Sequence, residues 1–146
     1  MALRTSTGLR NHMLVTGSLK TALDTGNIKV YSGTEPVNAD SPVTGTLLLT
    51  ITINASATGL SMDTAAAGGV LAKPVGAVWS GTIAATGTAG YYRHVGPADD
   101  GTASTTQPRI QGQVAVVGGE MIFNSLALVA AQVKPLDSYA IALPTL

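Results

Sequence analysis

The sequence predicts a mainly β protein: a single-domain antiparallel β-sandwich or barrel-like fold with a short N-terminal helix. Three observations carry this reading. About seven short segments alternate apolar with polar residues, turns rich in Gly, Pro, Asn and Asp separate them, and helical spacing is confined to the N-terminal end. No internal repeat is evident, which argues against a solenoid or propeller. The 146 residues suffice to bury a core without staples, and they read as one domain. Residues 1–26 form an arm and short helix in this reading, and residues 27–146 the β-sandwich.

In the arm, Leu9, Met13 and Leu14 are spaced i, i+4, i+5, and Leu19, Ala22 and Leu23 are spaced i, i+3, i+4. Ser18 suits an N-cap and Gly26 a C′ position, which brackets a helix over residues 19–24. A helix this short is not stable alone and must lay its apolar stripe on something: it plugs one end of the β core, with an exposed docking arm as the alternative, and both hold if it closes the core while presenting Arg4 and Arg10 to a neighbour. Ile28, Val30 and their neighbours then alternate as a strand, and residues 32–46 form a loop by their Pro, Asn, Asp and Gly content. The clearest strand follows, with Leu47, Leu49, Ile51 and Ile53 on one face and Thr46, Thr50 and Thr52 on the other. Residues 55–69 are small and loop-like. Further strands are expected across residues 76–86, with Ala77, Trp79, Ile83 and Ala85 on one face, residues 91–95, residues 109–116 with Ile110, Gly112, Val114 and Val116 alternating against Arg109, Gln111 and Gln113, residues 121–129, and residues 138–143.

Charged residues are 11% of the chain, against about 25% in ordinary globular proteins. Sparse charge with abundant Thr, Ser and Gly suits a surface that another protein covers, because burying charge is costly. Lys+Arg and Asp+Glu both number 8, so there is no positive field for nucleic acid. Near-zero net charge also favours association, as in a homo-oligomer. With no cysteine, disulfides, thiolate zinc sites and thiol nucleophiles are excluded. The apolar runs at residues 47–49 and 126–131 are too short to span a bilayer, and residues 1–11 lack the apolar region of a secretory signal. Synthesis in the cytoplasm, with no membrane partner, is the expectation.

No catalytic residue, cofactor site or metal site is assigned. The two histidines, His12 and His94, are too few for a zinc site and read as structural. No Gly-x-Ser-x-Gly elbow, phosphate loop or dinucleotide fingerprint occurs. Asp99-Asp100-Gly101 reads as a turn, not a cation site. Trp79 and the Tyr91–Tyr92 pair admit a carbohydrate-binding reading. The opposing reading puts Trp79 and one tyrosine in the core and the other tyrosine at an interface, since consecutive strand residues face opposite ways.

The stretch LRTSTGLRNHML, followed by GSLKTALDTGNIKVYSGTEPVNADSPVTGTLLLTITI, resembles the start of small proteins encoded among tailed-bacteriophage structural genes. The resemblance covers about the first third of the chain. It implies a virion structural protein, a head decoration (cement) protein on the capsid surface whose partners are the major capsid protein and further copies of itself. A tail structural component and a carbohydrate-binding or host-attachment module are the alternatives. The candidate protein-interface residues are Arg4, Arg10, Tyr31, Thr50, Thr52 and Tyr92.

Overall fold

The computed structural model describes residues 3–143. Their strands are β1 (Arg4–Thr5), β2 (Asn27–Ser32), β3 (Leu47–Ile53), β4 (Val70–Ala72), β5 (Trp79–Thr82), β6 (Gly87–Val95), β7 (Arg109–Ala115), β8 (Met121–Ile122), β9 (Ala127–Leu128), β10 (Val133–Leu136) and β11 (Ala140–Ala142). The large sheet runs β1-β7-β6-β2-β3-β5-β10, with β8 added to β7 and β9 to β6, and β4 with β11 forms a separate two-stranded sheet. All pairings are antiparallel except β7–β8. The fold is mainly β and sandwich-like, as its sequence predicts.

Period-two alternation sorts the central strands. Ile28 and Val30 of β2, Tyr92 and His94 of β6, and Ile110 and Val114 of β7 share one face, and all are buried. All but His94 join Leu49, Ile51, Leu71, Trp79, Tyr139 and Ile141 in one apolar cluster. Tyr139 is its hub, with ring centroids 5.8 Å from Trp79, 6.0 Å from Tyr92 and 5.5 Å from His94. The residue next to β11 thereby ties the small sheet to the large one.

The arm contributes β1 to the sheet edge, then α1 (Thr7–Asn11), a π-turn over His12–Thr16 and α2 (Leu19–Leu23). Ser18 caps α2 in a capping box with Thr21, an arrangement worth about 1 kcal/mol, and Leu19, Ala22 and Leu23 enter the core. The exit departs from the sequence reading. Thr25, not Gly26, takes the left-handed conformation (φ 63°). Gly26 serves close approach instead, because a Cβ there would lie 1.9 Å from the Val95 carbonyl oxygen. The Leu9–Met13–Leu14 stripe also breaks. Leu9 is fully buried, but the wide π-turn swings Leu14 and Val15 out to 80% and 89% exposure.

Elsewhere, a bulge between Val30 and Tyr31 shifts the register of β3, so Leu48 is buried while Leu47 is exposed. Residues 121–129 form two separate short strands, not one. The strand β10 has no counterpart in the sequence reading, because Pro135 disguises it; it is tolerated there because β10 is an edge.

Candidate interaction surface

The other face of the central sheet carries Lys29 and Tyr31 from β2, Tyr91 and Arg93 from β6, and Arg109 and Gln111 from β7. In a one-sided sheet such residues would meet water. Here Arg93, Arg109 and Gln111 are at most 1% exposed, because the loops over residues 33–46 and 96–108 lie across them. Buried loop carbonyls need donors, and the guanidinium fork supplies several in one plane. Arg109 clasps the Asp99 carboxylate through Nε and Nη2; Nη2 also donates to the Thr102 carbonyl (2.7 Å) and Nη1 to the Ala39 carbonyl (3.1 Å). Gln111 donates to the Pro36 carbonyl (2.8 Å) and accepts from Arg93 Nε (2.7 Å). Lys29 Nζ donates to the Asp99 carbonyl (3.0 Å), and Tyr91 OH donates to the Thr44 carbonyl (2.7 Å). Both loops are thus fastened to the same face.

The burial has electrostatic consequences. Desolvation, aided by the nearby Tyr91, raises the Tyr31 phenol to about 12. Desolvation and then the neighbouring Arg109 charge lower the pKa of Arg93, whose Nη1 makes no hydrogen bond to the described residues. Asp99 also accepts from the Gly101 amide (2.7 Å) with Gly101 at φ +81°. The Asp-Asp-Gly sequence is therefore a turn, as read, but its first carboxylate is a buried anchor.

The arm is stitched to both loops by the consecutive residues Ser6-Thr-Gly-Leu-Arg10. Ser6 Oγ caps α1 by accepting from Leu9 N (3.1 Å), accepts from Arg109 N (2.9 Å) and donates to the Gln107 carbonyl (2.8 Å). Thr7 donates twice to Asp40, from N (2.8 Å) and Oγ1 (2.6 Å), and the Asp40 carbonyl accepts from Ser104 N (2.9 Å). Desolvation is the largest single influence on the Asp40 carboxyl and raises its pKa, but the two Thr7 bonds, with the Arg10 and Arg109 charges, together outweigh it and hold the carboxyl below the usual range. Gly8 is required because a Cβ would sit 2.4 Å from the Thr106 backbone. Arg10 reaches back to Thr7 Oγ1 (2.9 Å) and stays exposed.

The arm and the two loops are therefore three segments fixed on one polar base. They carry Leu14 and Val15 on the arm, Val37 (85% exposed) on the first loop, and Thr105 and Thr106 on the second. A shallow cleft of about 330 Å³ between Val15 and Thr105–Thr106 joins arm to loop.

Of the six residues proposed from sequence, Arg10 lies exposed beside this surface, and Arg4 is half-buried against Glu35 (3.3 Å) and the Pro36 carbonyl (3.0 Å). Thr50 and Thr52 are half-buried on β3, and Thr52 Oγ1 is used within the chain by donating to the Ser56 carbonyl (2.7 Å). Tyr31 and Tyr92 are corrected: the first is 5% exposed and stacked on Tyr91 at 5.1 Å, the second 1% exposed beside Tyr139. The reading that one of Tyr91 and Tyr92 faces outward assumed that one face of the sheet is open, and both faces are covered. Trp79, Tyr91 and Tyr92 are all buried, so they form no exposed stacking platform. The surface residues missed from sequence are Leu14, Val15 and Val37.

Among the described residues no three His, Asp or Glu side chains gather as a metal site, and no helix is long and apolar enough to cross a membrane. In comparisons with known proteins, no family model, curated protein or solved structure matches the chain.

Proposed function

We propose that this chain is a virion structural protein of a tailed bacteriophage that decorates the capsid, binding major capsid subunits and other copies of itself. The observation that carries the reading is the three-segment surface. Large apolar side chains are exposed on these segments, while the segments themselves are fixed by buried hydrogen bonds. Pre-fixed loops lose little conformational entropy on docking, so exposed apolar side chains contribute to affinity with a small ordering cost. The residues behind the phage resemblance support the same reading, because Ser6 to Arg10 and the loop around Asp40 are the parts that build this surface.

Charge distribution adds support. The chain has few charges, and Arg93, Arg109 and Asp99 are taken inside, so its exterior is poorer in charge than the composition alone indicates. Such an exterior is easily desolvated by a protein partner. Its action is adhesive: covering seams of a shell stabilises the assembled state by mass action, and repeated contacts on a lattice add avidity.

The test is occupancy on purified heads lacking this protein, comparing the wild type with a Leu14→Glu, Val15→Glu double variant. Both side chains are exposed, so the variant should keep its melting temperature. Occupancy falling tenfold or more is the expected result. Wild-type protein that binds tails or glycans but not heads would overturn the proposal.

A further inference from the structure

We infer that β11 is a self-pairing edge, at which two copies of this chain join antiparallel about Ile141 to make a four-stranded sheet, β4-β11-β11-β4. This rests on the self-associating half of the proposed function, not on its viral half.

Hydrogen-bond phase sets which way each backbone group of β11 points. The register pairs Ala140 with Ala72, Ile141 with Leu71 and Ala142 with Val70. The Lys73 amide donates to the Tyr139 carbonyl (2.8 Å) and the Leu143 amide to the Gly69 carbonyl (3.0 Å). Alternation along an antiparallel ladder then turns the amide and carbonyl of Ile141 toward β4, and those of Ala140 and Ala142 away from it. The far side of β4 is already used, since Asp63 N donates to the Ala72 carbonyl and Val70 and Ala67 bond each other. The far side of β11 is not. The amides and carbonyls of Ala140 and Ala142 have no partner among the described residues, and both side chains are exposed.

Edges are usually protected, and the contrast with β10 is informative. There the Ile83 amide donates to the Gln132 carbonyl, which by the same alternation turns Val133 and Pro135 outward. Pro135 has no amide to offer, and Lys134 lies between them. The β11 edge reads Tyr-Ala-Ile-Ala-Leu from 139 to 143, with no charge and no proline. An apolar groove of about 470 Å³ lined by Met13, Leu71, Ile141 and Leu143 flanks it, leaving room beside the strand.

The occupant follows from symmetry. A second β11 fits it by construction. Centred on Ile141, each Ala140 faces the other copy's Ala142, and each such pair exchanges two hydrogen bonds, which is the isologous arrangement of a two-fold dimer.

The test measures mass and exchange on the full chain. Light scattering behind size exclusion, with concentration up to about 1 mM, where a contact of that Kd is half formed, should show dimer. Amide exchange at Ala140 and Ala142 should slow as concentration rises. An Ala140→Pro, Ala142→Pro variant removes only outward amides and should be a folded monomer. Should it fail to fold, Ala140→Lys with Ala142→Lys places like charges opposite each other without touching the backbone, and should also be monomeric. Val133→Pro, on the guarded edge, should remain dimeric. A wild type that is monomeric throughout, or a dimer that survives both β11 variants, overturns the inference. Either result leaves binding to heads as a separate question.

Discussion

Replacing Asp99 with alanine should detach the two loops from the sheet. Arg109 is fully buried, and among the described residues its only carboxylate partner is Asp99. Without it the guanidinium keeps the carbonyls of Ala39 and Thr102, which share its charge but cannot neutralise it. Breaking one side of a buried ion pair costs about 3–5 kcal/mol, because the remaining charge is left desolvated. Against a total stability of about 5–15 kcal/mol this is a large share. At about 2–4 °C per kcal/mol for a chain of this size, the melting temperature should fall by about 6–20 °C. Urea unfolding gives the free energy, and amide exchange locates the damage. Val43 N, which donates to Gly101, and Ser104 N, which donates to Asp40, should lose protection before the core does. Adding Arg109→Met to Asp99→Ala should cost less than the sum of the single changes by about 1–3 kcal/mol, because the stranded charge is gone. A single Asp99→Ala effect under about 1 kcal/mol, with exchange unchanged in both loops, would refute the anchoring argument.

Three further outcomes follow from the same geometry. Ser6→Ala removes the α1 cap and the partner of two buried groups, and should lower stability by about 2 kcal/mol or more in a denaturant titration. Gly26→Ala forces a Cβ against the Val95 carbonyl and should cost about 1–3 kcal/mol, whereas Gly76→Ala, with open space around it but φ +85°, should cost about 1 kcal/mol, measured the same way. Burial pushes the His94 imidazole from 6.5 down to about 3, with only the Asp24 charge opposing. The unfolded chain therefore binds the extra proton between those values, so stability is full above about 6.5 and falls as pH drops, at up to about 1.4 kcal/mol per pH unit. His94→Leu should remove that slope, and identical pH profiles for the two proteins would refute the assignment.

The alternation of Ile28, Val30, Ile110 and Val114 made the core face legible, since one buried face leaves a period-two record in sequence. The opposite face left a misleading record. Arg93, Arg109 and Gln111 alternate with apolar residues as solvent-facing side chains would, and nothing local distinguishes a polar residue under water from one under a loop. The distinguishing signal is non-local: two long loops, one holding Asp99 and one offering bare carbonyls, close over the strands that carry the guanidinium groups. Residues 6–10 were legible as a resemblance, but not as physics, because the roles of Ser6, Thr7 and Gly8 are set by contacts with residues 40 and 106–109. Leu14 was placed on the helical stripe because its spacing presumes a regular α-helix, and the π-turn voids that premise.

Sealing both faces of the central sheet shapes what remains outside. Three charged groups, Arg93, Arg109 and Asp99, hold loops from inside and do not face neighbours. The exterior is left with Leu14, Val15, Val37 and Val75 exposed and an unguarded edge at β11. Near-zero net charge provides little long-range repulsion to oppose contact. The proposed adhesion has one physical reason in this arrangement: buried polar groups hold the loops while apolar side chains are left outside. That reason ties the anchoring test to the binding test. Loosening the loops through Asp99 should weaken attachment to heads even though Asp99 itself touches no partner, whereas Leu14→Glu should weaken attachment with the fold unchanged. Attachment that tolerates the first change and not the second would place the binding surface on the arm alone.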